Sequence, residues 1–379
     1  MGKVNAMDIK AALLKQSGGH ALPYADTTPL EIADLKLDAP QAGELLLRID
    51  AAGLCHSDLS VVNGDRERPM PMALGHEATG IVEAVGSADT GFDIGDRVIL
   101  AFLPSCGECT RCTTGEPYMC GVGAKANGEG VLLNGGYRLH NQCGHVHHHL
   151  GLSAFATHTV VDRRSAVKVD KDIPAEIAAL FGCAVLTGAG AVFNSAAMKE
   201  GESVLVYGLG GVGLSALLAA RAIGASTLVA IDPAAEKRAI AEELGAIALS
   251  PDEAATKLAE IFPESGPDLV IETVGRASVL VAAYQAARRG GRICTVGLPN
   301  PAERFDINAL SLVAEGKTLI GSYMGSAIPS RDIPRYIDLW KAGRLPVEKL
   351  LSSINPLADI NHLMDELHAG RAIRQVMIP

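Results

Sequence analysis

From Glu202 onward the hydrophobic and polar positions follow a fixed order: the apolar run SVLVY, the glycine-rich GLGGVG, a longer apolar-periodic stretch, then a second apolar run ending STLVAID. A short apolar run bounded by turn residues reads as a buried strand, and the longer periodic stretch as a helix. The pattern therefore predicts a strand at Val204 to Tyr207, a turn carrying Gly208, Gly210, Gly211, Val212 and Gly213, a helix, and a second strand closing at Asp232. Further apolar runs lie at Ala246 to Leu249, Asp268 to Glu272, Gly291 to Val296 and Thr318 to Ile320, separated by helical segments such as AAEKRAIAEELG. That alternation predicts about six strands in a doubly wound parallel sheet. The uncharged stretch Ser203 to Ala220 is long enough to cross a bilayer, but its four glycines and the following Arg221 favour strand, turn and helix.

Upstream the rhythm is that of strands. ELLLRIDAAG alternates with a period of two and ends at a glycine just before Cys55, while His76 lies in PMALGHEATGIV between a proline-rich turn and another strand. Gly95-Asp96 marks a turn, and the C-terminal stretch adds helices and a strand near Ile373 to Ile378. A chain of 379 residues holds about two domains by length. The expected division is residues 1–184 with 322–379 as one β-rich domain and 185–321 as the doubly wound domain, with the cleft between them as the default ligand site.

Composition narrows the partners. Apolar residues make up 48% and charged residues 20%, as in soluble globular proteins. The formal charge of -10 repels a phosphate backbone, so neither nucleic acid nor an anionic membrane is an expected partner. The opening MGKVNAMDIK mixes charge into every apolar run, so export is not expected and the cytoplasm is the expected compartment.

The glycine turn has a direct chemical reading. Glycines let the backbone approach a pyrophosphate at a helix N-terminus, where unpaired N–H groups and the helix dipole favour negative charge. Asp232 at the end of the next strand accepts hydrogen bonds from ribose hydroxyls and repels a 2'-phosphate, and Pro233, Ala234 and Ala235 bring no cation to one. NAD is expected over NADP.

Cys106, Cys109, Cys112 and Cys120 form a C-x2-C-x2-C-x7-C run in a lobe, residues 104–121, rich in turn residues and almost free of large apolar ones. That spacing suits a closed tetrahedral site for structural zinc, with an iron-sulfur cluster as the competing occupant. Cys55, Cys183 and Cys294 are isolated. Asp58 and Glu77, close to Cys55 and His76, are acids able to orient an imidazole. A lone histidine is otherwise more often a satisfied structural residue. Cys294, inside GRICTV, reads as a small core hydrophobe. LHNQCGHVHHHLG places His140, His145, His147, His148 and His149 around Cys143; a solvated loop is the expectation there, a third metal site the alternative.

Taken in order, GLCHSD, GHEATGIVEAVG, the four-cysteine lobe, GCAVLTGAGAVFN and the glycine turn give the chain a family likeness: it resembles the zinc-dependent medium-chain alcohol dehydrogenases, most closely the liver-type and class III (glutathione-dependent formaldehyde) branches. The resemblance implies a GroES-like catalytic domain beside the Rossmann domain and two zinc ions per chain. It assigns Cys55, His76 and Cys183 to a catalytic zinc, with Glu77 as an occasional ligand and Asp58 behind His76. It gives Ser57 the substrate hydroxyl, Phe102 and Phe155 the substrate channel, and Leu298 the pocket beside the nicotinamide. Asp232 and Lys237 fall to the adenosine ribose, and His56 and Arg374 to the pyrophosphate.

The implied reaction is reversible NAD-linked oxidation of primary or secondary alcohols to aldehydes or ketones by hydride transfer, in a homodimer or tetramer. A glutathione-dependent formaldehyde dehydrogenase and a non-catalytic NAD-binding protein are the alternatives. Two positions depart from the pattern. Ser60 stands where the best-known branch carries a proton-relay histidine, leaving His56 or water as the exit. Ala124 is nearest the place of an arginine that grips glutathione, although Lys125 follows it.

Overall fold

The computed structural model describes residues 5–87, 91–262 and 266–379. Its contacts divide the chain into two compact units. The first comprises Met1–Cys183, Ile328–Ile333 and Leu351–Pro379; the second comprises Ala184–Ala327 and Pro334–Leu350.

In the first unit, period-two alternation produces two sheets. Met7–Leu14, Leu30–Leu37, Leu139–Asn141, Gly144–His148 and Met72–Ala73 close into a small barrel. A second sheet runs Ala166–Val169, Arg97–Leu100, Ala78–Val85, Glu44–Leu54, Arg374–Ile378, Leu351–Pro356, with His158–Asp162 also paired to Glu44–Leu54. The long strand Glu44–Leu54 is irregular against Ala78–Val85 near Leu46 and again near Ile49, and it carries the chain directly to Cys55. Leu45, Leu47, Leu54, Leu100, Phe155 and Met377 are among the buried side chains of its core.

In the second unit the expected sheet forms. Its six strands are parallel in the order Ile247–Leu249, Thr227–Ile231, Ser203–Tyr207, Leu269–Glu272, Arg292–Thr295, Thr318–Gly321. The order reverses between Ser203–Tyr207 and Leu269–Glu272, the switch point at which doubly wound sheets bind ligands beyond the strand ends. Among the described residues no helix is long and apolar enough to cross a membrane.

Two expectations need correction. The stretch after Gly321 does not belong wholly with the first unit, because Ser322–Ala327 and Pro334–Leu350 group with the second. Tyr336 stacks on Phe193 at 5.5 Å, Arg344 donates to the Ala222 carbonyl, and Lys349 pairs with Glu243. Ser322 and Ser326 both meet the Ser195 hydroxyl. The histidine-rich segment is also not a solvated loop: Leu139–Asn141 and Gly144–His148 pair as an antiparallel hairpin in the barrel. Alternation turns Leu139, Val146 and His148 inward, so His148 is buried and its Nε2 accepts the Arg138 N–H at 3.1 Å. Burial lowers its pKa to about 3.

Candidate functional site

Cys55 caps the helix His56–Val62 at the end of the long strand, and Asp58 reaches back to accept the Cys55 N–H on Oδ2 at 3.1 Å. His76 follows Gly75, whose φ of +99° suits glycine and whose added Cβ would lie 2.3 Å from the Phe155 nitrogen. Cys183 lies three residues after the helix Ala175–Leu180. These segments bring the donor atoms of Cys55, His76 and Cys183 within 4.8 Å of one another, all buried. Cys183 Sγ is 3.5 Å from His76 Nε2. Tetrahedral zinc, with Zn–S about 2.3 Å and Zn–N about 2.0 Å, sets an S···N separation of about 3.5 Å.

The surroundings reinforce that fit. His76 Nδ1 donates to Asp58 Oδ1 at 2.9 Å, which turns the lone pair of Nε2 toward the sulfurs. Both oxygens of Glu77 are buried without a hydrogen-bond partner, the nearest cation being Arg374 Nη1, 3.5 Å from Oε2. Burial raises the Glu77 pKa to about 7, against the opposing pull of Arg374. A hydrogen bond from Cys183, together with the charge of Arg374, holds the Cys55 thiol well below its usual range, while the same bond and burial push Cys183 up. Burial works against charge on the His76 ring, yet Asp58 and Cys55 outweigh it and raise its pKa to about 10, so a cation bound at Nε2 would displace a proton there. Two thiols and two carboxylates thus converge on one arginine and one imidazole, a donor set suited to a divalent cation.

The four lobe cysteines also converge. Cys109 Sγ lies 3.5 Å from Cys112 Sγ and 3.9 Å from Cys120 Sγ, and Cys106 Sγ lies 3.9 Å from Cys112 Sγ. Tetrahedral zinc places sulfurs about 3.8 Å apart. Backbone N–H groups of Cys106 and Gly123 donate to Cys120, and that of Cys109 to Cys106, as thiolates require. Arg164 ties the lobe to its sheet, forking onto Asp162 and donating to the Cys106 carbonyl at 3.0 Å.

At the nucleotide end, Gly208 has φ +88° and Gly210 caps the helix Gly211–Ile223, whose first turn carries Val212 and Gly213. A Cβ on Gly213 would lie 1.8 Å from the Gly208 carbonyl oxygen, so the turn requires glycine there. Asp232 is 6% exposed and accepts N–H groups from Leu209 at 2.7 Å and Ala234 at 2.9 Å. Thr273, which sequence reasoning missed, donates to the carbonyls of Tyr207 and Gly208 and fixes the turn from the neighbouring strand. Its only signal was its place at the end of an expected strand. Lys237 is half-buried on the helix Ala235–Glu243, and Leu298 is exposed beyond the strand Arg292–Thr295.

Other expected residues fall less simply. His56 is exposed and Ser57 half-exposed on the first turn after Cys55. Phe102 stands edge-on to the His76 ring at 5.6 Å, whereas Phe155 is wholly buried under Gly75, a core residue with no channel surface. Arg374 is buried, donates through Nη1 to the Leu54 carbonyl beside Glu77, and has no hydrogen-bond partner at Nε among the described residues. Cys294 is buried in its strand as expected. His149, two residues inside what was expected to be a loop, reaches the centre instead: its Nδ1 lies 3.3 Å from Asp58 Oδ1 and its ring stands 5.4 Å from that of His76. Its partner lies ninety-one positions upstream, so spacing gave no warning.

Comparison with known proteins agrees with this geometry. Residues 41–171 match the alcohol dehydrogenase GroES-like domain and residues 211–342 the zinc-binding dehydrogenase family. The chain is 36% identical over 355 residues to putative alcohol dehydrogenase D of Mycobacterium tuberculosis, covering 92% of this chain and 96% of that protein. It is 37% identical over 374 residues to geraniol dehydrogenase of Castellaniella defragrans, covering 97% of each. The crystal structure of benzyl alcohol dehydrogenase from Acinetobacter calcoaceticus superposes with a TM-score of 0.90 at 32% identity, covering 98% of this chain and 99% of that one. The chain belongs to the zinc-dependent medium-chain alcohol dehydrogenase family. Its fold is the family's GroES-like domain joined to a Rossmann domain, and it is an oxidoreductase that uses zinc and a nicotinamide cofactor on small-molecule alcohols.

Proposed function

We propose that this chain is an NAD-linked alcohol dehydrogenase with two zinc ions, interconverting primary alcohols with their aldehydes and favouring alcohols with an unsaturated or aromatic carbon beside the carbinol. The observation that carries the metal chemistry is the convergence of Cys55, His76 and Cys183, three buried donors that would hold a zinc ion and leave it one position for substrate. The substrate class rests on the geraniol and benzyl alcohol relatives and on the aromatic edge of Phe102 beside His76. Lys125 is exposed and lies 3.8 Å from Glu129 on its own helix.

Zinc held there supplies a Lewis acid that acidifies an alcohol, and NAD supplies the hydride acceptor. The chain's own residues do the rest. Asp58 keeps the proton on His76 Nδ1 so that Nε2 stays available as a donor. Ser57 Oγ, two residues after Cys55, would accept the proton of the substrate hydroxyl while passing its own hydroxyl proton outward. Ser60 Oγ donates to the His56 carbonyl at 2.9 Å, so Ser60 is a poor onward relay, and the exposed His56 ring or water would carry the proton to solvent. Glu77 and Arg374 balance charge beneath the centre.

Asp232 supports NAD over NADP. Both carboxylate oxygens accept backbone N–H groups, which holds the carboxylate in place at the end of the strand Thr227–Ile231, where it would accept from ribose hydroxyls and disfavour a 2'-phosphate. Asp232→Ala is expected to weaken NAD binding about 10- to 100-fold, the worth of a charge-assisted hydrogen bond. Fluorescence titration with NADH checks it, and unchanged affinity would refute the assignment. A homodimer is supported by the edge strand Thr318–Gly321 and by the helix Ala309–Ala314 beside it in sequence, where Leu310 is 72% and Val313 80% exposed. Light scattering should give at least twice the chain mass.

The test of the functional reading is a substrate panel with NAD and NADP. Cinnamyl, benzyl and geranyl alcohols should exceed ethanol in kcat/KM, and formaldehyde turnover should not depend on glutathione. A strict glutathione requirement would replace this reading with the alternative.

A further inference from the structure

Asp58 is fully buried, and its Oδ1 faces two imidazoles. His76 Nδ1 donates to it at 2.9 Å, and His149 Nδ1, buried and itself without a hydrogen-bond partner among the described residues, lies 3.3 Å away at ion-pair distance. Only Cys55 N–H, on Oδ2, otherwise meets the carboxylate among the described hydrogen bonds. A buried carboxylate has about four lone-pair sites, and each one left empty costs stability. The turn that delivers His149 is held firmly. Its N–H donates to Ser153 Oγ at 3.0 Å, Ser153 Oγ donates to the Ala73 carbonyl at 2.8 Å, and Leu150 and Ser153 both take positive φ. Left-handed backbone at two residues that are not glycine persists only where the surroundings impose it.

We propose that His149 is a positioning residue for the metal centre: its Nδ1, set 3.3 Å from Oδ1 by the turn that follows the barrel hairpin, confines the Asp58 carboxylate so that Oδ1 stays aimed at His76. The metal-ligating imidazole is then held through two layers, Asp58 against the ring and His149 against Asp58. The assignment rests on the reading that Cys55, His76 and Cys183 hold zinc. Residues behind a metal ligand typically change metal affinity 10- to 100-fold when altered, and His149, one step further out, falls at the lower end of that range.

The test measures zinc transfer to a chromogenic chelator from the full-length protein, with the faster and slower ions counted separately. Wild type should release two ions per chain in two phases. His149→Phe should speed release from the Cys55 centre about tenfold while leaving the lobe ion and its phase unchanged. His149→Asn, whose amide nitrogen can occupy the place of Nδ1, should return the rate close to wild type. His149→Gln, which places its amide near Nε2 instead, should behave like His149→Phe. The Asn and Gln variants decide the matter if the Phe variant fails to fold. Cobalt substituted at the centre adds a second readout: its d–d bands should shift in the Phe and Gln variants and not in the Asn variant. Equal release from the Asn and Gln variants, or wild-type release from the Phe variant, would overturn the proposal. A wild-type chain that holds no ion at Cys55 would instead overturn the zinc reading beneath it.

Discussion

Replacing Cys55 with alanine is expected to lower kcat/KM for alcohol oxidation at least about a thousandfold, because the metal supplies several kcal/mol of transition-state stabilisation and each 1.36 kcal/mol is a factor of ten. The loss should be specific. Cys55 belongs to the first unit, whereas the glycine turn and Asp232 belong to the second, so the affinity for NADH should stay within a few fold. Metal analysis of the variant should find the lobe ion retained and the other lost. Steady-state kinetics beside NADH titration measures both halves. Substantial residual turnover would show that the three buried donors do not carry the chemistry, and a parallel loss of NADH binding would show a folding defect instead.

The second large effect concerns stability. Within residues 104–121 only Pro104 and Cys120 are buried, so the lobe has almost no apolar core of its own. Structural zinc contributes about 10 to 16 kcal/mol to isolated zinc-finger peptides; in this lobe, anchored by Arg164, the effect on the whole unit is smaller. Cys112→Ser is expected to cost about 3 kcal/mol and lower the melting temperature by roughly 6 to 12 °C for a unit of this size. Limited proteolysis should cut first between Cys106 and Cys120. Calorimetry of the variant against the wild type decides the point, and an unchanged melting temperature with a protected lobe would show that the four thiols are not a structural site.

What could be read in advance followed how local each feature is. The lobe was legible because its four ligands are sequence neighbours, and C-x2-C spacing has a geometric meaning by itself. The nucleotide end was legible for the same reason: strand, glycine turn, helix and terminal Asp232 occur within one unit of about thirty residues. Cys55, His76 and Cys183 are separated by long intervals, and residue chemistry alone left them as candidates until the family resemblance joined them. His149 was illegible, since a run of histidines looks solvated; the barrel's alternation turns only His148 inward, and the tight turn His149–Gly151 after the strand carries His149 to Asp58. Phe155 misled in the other direction. An aromatic residue at a matching position suggested a channel wall, but the close approach of Gly75 buries its ring completely. The stretch Pro334–Leu350 was misplaced because nothing in its amphipathic pattern says which unit its apolar face covers; Tyr336 on Phe193 settles that only in three dimensions.

The central claim is that two chemically different zinc sites coexist in each chain. X-ray absorption at the zinc edge, combined with metal analysis of the purified protein, tests it most directly. The account predicts two ions per chain and an average shell of three sulfurs and one nitrogen or oxygen, since Cys106, Cys109, Cys112 and Cys120 supply four sulfurs and Cys55 and Cys183 supply two. A single ion per chain with an all-sulfur shell would contradict it.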